Sequence, residues 1–202
     1  ALITARGGSR TIPHKNIIDF CGKPLITWTI QQLQQSKAIS SIWVSSDSDE
    51  ILKIAKHYGA NTIIRPEKIS GDTEPSESAW LHAIDFIEQQ SEYSIDFVLA
   101  PQVTSPLRHA ADFSDAIAQI KANGVDSLLS VAEVEDFFIW KQRDGENPQS
   151  VNYDYKDRRP RQQIEKTYIE NGSFYLFKPQ VLINDNNRLG GNISLFVMDR
   201  YK

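Results

Sequence analysis

Residues 6–16, Arg6-Gly7-Gly8-Ser9-Arg10-Thr11-Ile12-Pro13-His14-Lys15-Asn16, gather groups that bind anions. Gly7 and Gly8 let the backbone approach a ligand and turn N–H groups toward it. Ser9 adds a hydroxyl. Arg6, Arg10 and Lys15 surround one short loop with positive charge, and no acid follows until Asp19. Such a loop suits a polyphosphate; a solvated basic loop is the alternative. The Gly-Lys-Ser/Thr of a Walker loop and the Gly-x-Gly-x-x-Gly of a dinucleotide site are both missing. A second stretch, Gln102-Val103-Thr104-Ser105-Pro106-Leu107-Arg108, offers an amide, hydroxyls and a guanidinium. That set suits a polyhydroxylated ligand, although Thr-Ser-Pro also makes a good helix start.

These side chains need a scaffold, and the apolar patterning predicts one. Leu2-Ile3-Thr4-Ala5, Ser41-Ile42-Trp43-Val44-Ser45, Thr62-Ile63-Ile64, Phe97-Val98-Leu99-Ala100 and Ser127-Leu128-Leu129-Ser130-Val131 read as buried strands. Between them run helical stripes: Leu25, Ile26, Trp28, Ile30 and Leu33 behind Pro24 in the first turn; Ile51, Leu52, Ile54, Ala55 and Tyr58 closed by Gly59; Ala79, Trp80, Ala83, Ile84 and Ile87 after Pro75; and Phe113, Ala116, Ile117 and Ile120. Alternating strands and helices predict an α/β fold of three layers, with a mostly parallel sheet covered on both faces. Ligands of such sheets sit beyond the carboxyl ends of the strands. The two polar stretches follow the first and fourth strands.

The later part reads differently. Phe137-Phe138-Ile139-Trp140 and Phe174-Tyr175-Leu176-Phe177 look like aromatic strands, and Asp144-Gly145 like a hairpin or tight loop. They predict a projecting, partly β, C-terminal portion. Without linker, repeat or low-complexity tract, residues 1–202 read as one domain. Ala1 already lies within an apolar run and nothing marks a stop at Lys202, so the domain reads as cut at both ends.

Composition narrows the function. The chain has 202 residues, 40% hydrophobic and 24% charged, with formal net charge −4, which argues against a nucleic-acid binder. No apolar run approaches the ~18 residues of a membrane helix, and no secretory signal is expected. Cys21 is a lone cysteine, so no internal disulfide forms; it reads as a small apolar residue in a reducing compartment, the cytoplasm. His14, His57, His82 and His109 show no ligand spacing. Asp47-Ser48-Asp49 has an acidic-pair pattern, but it begins the second helix and reads as a cap.

Taken in order, Arg6 to Asn16, Asp47-Ser48-Asp49-Glu50-Ile51, Arg65-Pro66, Asp72-Thr73, Gln102 to Arg108, Pro160-Arg161-Gln162-Gln163 and Asn171-Gly172 resemble the acylneuraminate cytidylyltransferases across nearly the whole chain. The resemblance implies a Rossmann-like nucleotidyltransferase that moves CMP from CTP to the anomeric hydroxyl of a nonulosonic acid, releasing pyrophosphate. It implies that Arg6, Arg10 and Lys15 act on the triphosphate, with Gly7, Gly8, Ser9 and Asn16 around it. Arg65 and Ser76 match positions near cytosine, Gln102 and Thr104 sugar-contacting positions, Arg161 the rim of the site, and Asn171 and Tyr175 a strand lining the sugar pocket. Tyr175 also reads as core, and Arg158, Arg159 and Arg161 as a solvated run. The family's Mg²⁺ is expected, but its Asp-x-Asp pair should follow Phe196-Val197-Met198 and would lie beyond Lys202, so no metal ligand is assigned. Ile169 and Glu170 replace an arginine and proline, and the loop Asn187-Arg188-Leu189-Gly190 lacks an aromatic pair, which leaves the sugar open. A homodimer is implied, its projecting part reaching the neighbouring subunit's site. The alternatives are transfer to an octulosonate or pseudaminate, which the sugar-side residues Ile169, Glu170 and Arg188 would decide, or a non-catalytic nucleotide-binding module.

Overall fold

Short apolar runs form strands here because helices cover them from both sides. The computed structural model describes residues 1–8, 12–90, 94–134, 138–163 and 165–200, with the Arg161 side chain excepted. β1 (Leu2–Thr4) leads through a loop and a small hairpin, β2 (Asp19–Phe20) with β3 (Lys23–Pro24), into α1 (Leu25–Gln35). Pro24 stands just before α1 rather than in its first turn. β4 (Trp43–Ser46), α2 (Asp49–His57), β5 (Asn61–Ile64), α3 (Ser76–Gln90), β6 (Val98–Pro101), α4 (Ala110–Asn123) and β7 (Ser127–Val134) follow. Gly59 ends α2 with φ 84°. Its N–H donates to Lys56 O and that of Ala60 to Ala55 O, a closure that favours glycine.

β4 pairs in parallel with β1 and β5. β6 runs beside β1 and joins this ladder to a second one. There β10 (Thr167–Phe177) lies antiparallel between β6 and β7, and β11 (Ile193–Met198) pairs in parallel with β7. The sheet order is therefore β5-β4-β1-β6-β10-β7-β11. Alternation along β1 sorts the two faces. Ile3 packs with Ile26, Ile30 and Leu33 of α1, Ala55 of α2 and Phe113 of α4. Leu2 faces Trp80, Ala83 and Ile84 of α3 and, with them, Leu182 of α5 (Pro179–Asp185).

β10 carries Phe174–Phe177 into this core, where all four are buried. The part outside the layers is the segment 138–163, with the outer half of β10, Thr167–Glu170, exposed beside it. The aromatic run expected as a strand over 137–140 is corrected. Phe137 lies outside the described residues, Phe138 and Ile139 are not in a strand, and only β8 (Trp140–Lys141) pairs, with β9 (Gln149–Ser150). The aromatics meet each other instead of a sheet: Phe138 lies 4.4 Å from Tyr153 and Trp140 5.4 Å from Tyr155, ring centre to ring centre. Gly145, with φ 79°, turns the hairpin near Asp144 as expected.

Candidate active site

A cleft of about 370 Å³ opens beyond the carboxyl ends of β1 and β6, where the two polar stretches lie. Its wall includes Arg6, Gly8, Lys15, Asn16, Arg65, Ser76, Gln102 and Thr104 of the expected residues. Ser9 and Arg10 lie outside the described residues, as does the side chain of Arg161.

The loop after β1 is shaped by its neighbours. Gly7 directs its N–H at Asp47 Oδ1, 2.9 Å away, so that donor serves the protein and is not turned to a ligand. A Cβ on Gly7 would stand 2.9 Å from Ser48 Cβ, so the glycine permits close approach to the β4–α2 turn. Gly8 is open to the cleft. Asn16 is buried and donates from Nδ2 to Arg6 O at 2.9 Å, tying the two ends of the loop together. Lys15 begins a 3₁₀ turn over Lys15–Ile17, entered through His14 in the left-handed region at φ 52°.

The loop is not free of acids in space. Arg6 pairs with Asp72 Oδ1 at 2.9 Å and donates to Gly71 O at 3.3 Å. Arg65 is buried; its Nε donates to Ser70 Oγ at 3.0 Å and its Nη2 stands 3.6 Å from Asp47 Oδ1. Burial pulls the Arg65 pKa down and the Asp47 carboxylate opposes it. Asp47 is thus not a helix cap. Ser48 caps α2, accepting from Ile51 N, while Asp47 joins the loop to Arg65. The sequence reading missed this role, for which the nearby Arg65-Pro66 motif was the available signal.

The second stretch also differs from expectation. Arg108 does not offer its guanidinium to the cleft. It is 2% exposed and is the largest fully buried side chain. Its Nη1 donates to Ser173 O at 2.8 Å, and its Nη2 to Thr29 Oγ1 at 2.7 Å and Gln102 O at 2.9 Å. Burial pulls its pKa down to about 9, with Asp112 opposing, so it stays charged at neutral pH. This one side chain anchors α1, β10 and the Gln102–Arg108 loop together. Gly172, with φ 65°, sits in a β10 bulge, where a Cβ would meet Gln102 Oε1 at 3.3 Å. Its carbonyl accepts from Ser105 Oγ at 3.0 Å.

Asn171 and Tyr175 do not line the cleft. Asn171 Oδ1 accepts from Ser130 Oγ at 2.7 Å and from Ser173 N at 3.1 Å, so the side chain braces the bulge. Tyr175 is buried in the core and donates to Glu170 Oε2 at 2.8 Å; burial, then Glu170, pushes its pKa up. The reading of Tyr175 as core describes its place in the fold. Arg188, expected on the sugar side, lines the cleft with Trp80, whereas Ile169 and Glu170 do not line it. Among the described residues, no three His, Cys, Asp or Glu side chains group as metal ligands. Asp72 and Glu74 border the cleft, with Asp72 engaged by Arg6; the acidic pair expected for Mg²⁺ lies outside residues 1–202.

The cleft presents fixed cations at its base and amide and hydroxyl groups at its side. It can hold a polyanion beside a polyhydroxylated partner. Comparison with known proteins gives the family. The cytidylyltransferase family model matches residues 1–181. The chain is 36% identical over 202 residues to N-acylneuraminate cytidylyltransferase A of Danio rerio, covering 98% of this chain and 45% of that protein. It is 35% identical over 181 residues to the N-acylneuraminate cytidylyltransferase of Oncorhynchus mykiss, covering 88% and 40%. The chain thus spans less than half the length of these fish relatives. It is 32% identical over 206 residues to a pseudaminic acid cytidylyltransferase of Campylobacter jejuni, covering 98% and 86%. Among solved structures, a CMP:2-keto-3-deoxy-manno-octonic acid synthetase complexed with CTP shares the fold, with TM-score 0.71 at 16% identity, covering 98% of this chain and 88% of that one. Motif order, sheet topology and these matches converge: the chain belongs to the cytidylyltransferase family.

Proposed function

We propose that the protein transfers CMP from CTP to a nonulosonic acid of the neuraminate or pseudaminate type. The observation that carries this reading is the cleft itself, which joins Arg6, Lys15 and Arg65 to Gln102 and Thr104 beyond β1 and β6. The anomeric hydroxyl attacks the α-phosphorus; the new O–P bond forms as the bond to pyrophosphate breaks, and the hydroxyl proton is released. Charge grows on the departing pyrophosphate, so positioned cations matter more there than in the ground state. Arg6 and Lys15 supply them. Arg10 and Ser9 are proposed for the same loop, and Arg161 for the rim. Arg65 and Ser76 are assigned to the nucleotide, Gln102 and Thr104 to the sugar. Asn171 and Tyr175 act behind the sugar pocket, by supporting its wall.

Pyrophosphate release from CTP should require a nonulosonic acid, and ATP should not replace CTP. Equal turnover with ATP, or none with neuraminate, pseudaminate or octulosonate acceptors, would overturn the reading. The exposed large apolar side chains on and beside the β8–β9 hairpin, Ile139, Trp140 and Tyr155, support a homodimer in which this arm contacts the second copy. Sedimentation at micromolar concentration should give a dimer; a monomer with full turnover would refute it.

A further inference from the structure

Arg188 is held more firmly than a surface arginine. Its Nε and Nη2 both lie 2.9 Å from Glu77 Oε1, and the Glu77 side chain is only 10% exposed. Its Cζ lies 4.8 Å from the centre of the Trp80 ring and 4.7 Å from that of Tyr175. Arg188 nevertheless keeps 25% of its side chain exposed and forms part of the cleft wall.

Two features decide what such a group can read. A guanidinium donates and never accepts, so it takes an acceptor. The Glu77 carboxylate is buried and held by both Nε and Nη2, unlike the half-exposed Asp72 on Arg6, so it stays on the guanidinium and a second anion gains little over a neutral oxygen here. Position supports the same choice. Tyr175 stands on β10, two strands from β1, about 10 Å across the sheet. The sugar's carboxylate is bonded to the anomeric carbon and must stay beside the reacting phosphate at β1. What reaches Arg188 is the far side of the sugar.

We propose that Arg188 is a specificity-determining residue that donates to the carbonyl oxygen of an N-acyl substituent on the nonulosonic acid. This rests on the reading of the cleft as a CMP-transfer site. Trp80, Tyr175 and Glu77 fix the guanidinium in place before the sugar arrives, so little order is lost on binding.

The test uses the full-length protein with CTP and two acylated acceptors, N-acetylneuraminic acid and pseudaminic acid. Each is compared with a counterpart carrying hydroxyl or free amine in place of its acylamino groups. For the acylated acid that wild type uses, Arg188→Met should raise KM roughly tenfold. KM for CTP should stay within about twofold, and the acyl-free counterpart should change by less than about threefold. Arg188→Gln keeps a donor and should fall between; it also serves if the methionine variant does not fold. Equal losses on acylated and acyl-free acids, or a loss confined to CTP, would overturn the assignment while leaving the function standing. No pyrophosphate release by wild type with any acid would overturn both.

Discussion

Arg6→Ala should slow CMP transfer about 100- to 1,000-fold, the usual effect of removing one fixed donor from a site of developing charge. The loss should appear mainly in kcat, because the interaction strengthens as pyrophosphate departs. Stability should barely move. Arg6 and Asp72 form a pair with side chains 33% and 43% exposed, and such pairs contribute at most about 1 kcal/mol. The two effects therefore separate cleanly. Arg6→Lys keeps the charge but not the planar guanidinium whose Nη1 meets both Asp72 Oδ1 and Gly71 O, and should recover part of the rate. Steady-state pyrophosphate release beside a thermal melt reads both quantities. Near-normal kcat in a folded alanine variant would place the triphosphate elsewhere.

Arg108→Met should have the opposite signature. The substitution fills much of the stem's volume yet removes the guanidinium from Thr29 Oγ1 and leaves Ser173 O and Gln102 O with only the N–H groups of Gln102 and Ser105. Each such loss costs about 1–3 kcal/mol, and relief of the buried charge offsets part of the total. We expect a net loss of about 3 kcal/mol, seen as a melting temperature lower by roughly 6–12 °C. Arg108→Lys, with one compact head for acceptors on three elements, should lose less but still measurably. A melting temperature within about 2 °C of wild type in the methionine variant would show that the loop is held by other contacts.

The layered fold was legible because it rests on periodicity. Ile26, Ile30 and Leu33, or Trp80, Ala83 and Ile87, repeat at helical spacing, and the apolar runs between them can only be covered strands. The cleft was legible for the same reason, since its position follows from strand direction. What stayed hidden depends on partners distant in the chain. Asp47 looks like a cap because Ser48 and Asp49 follow it, while the groups it meets belong to Gly7 and Arg65. Arg6 looks unpaired because its partner Asp72 follows Gly71, which is itself 65 residues away. Arg108 looks like a ligand group because sequence shows a residue's type but not its direction. The 137–140 run misled because aromatic residues favour strands and also stack on one another, and in the hairpin stacking prevails.

Transfer of CMP from CTP to the acid can be followed directly by a label on the α-phosphorus. Full-length protein should be incubated with CTP labelled at the α-phosphorus and an acylated nonulosonic acid, and the products separated. Label should appear in a CMP-sugar, formed in step with pyrophosphate and absent when the acid is omitted. Label that remains in CTP, or that appears as free CMP at the same rate without the acid, would contradict it.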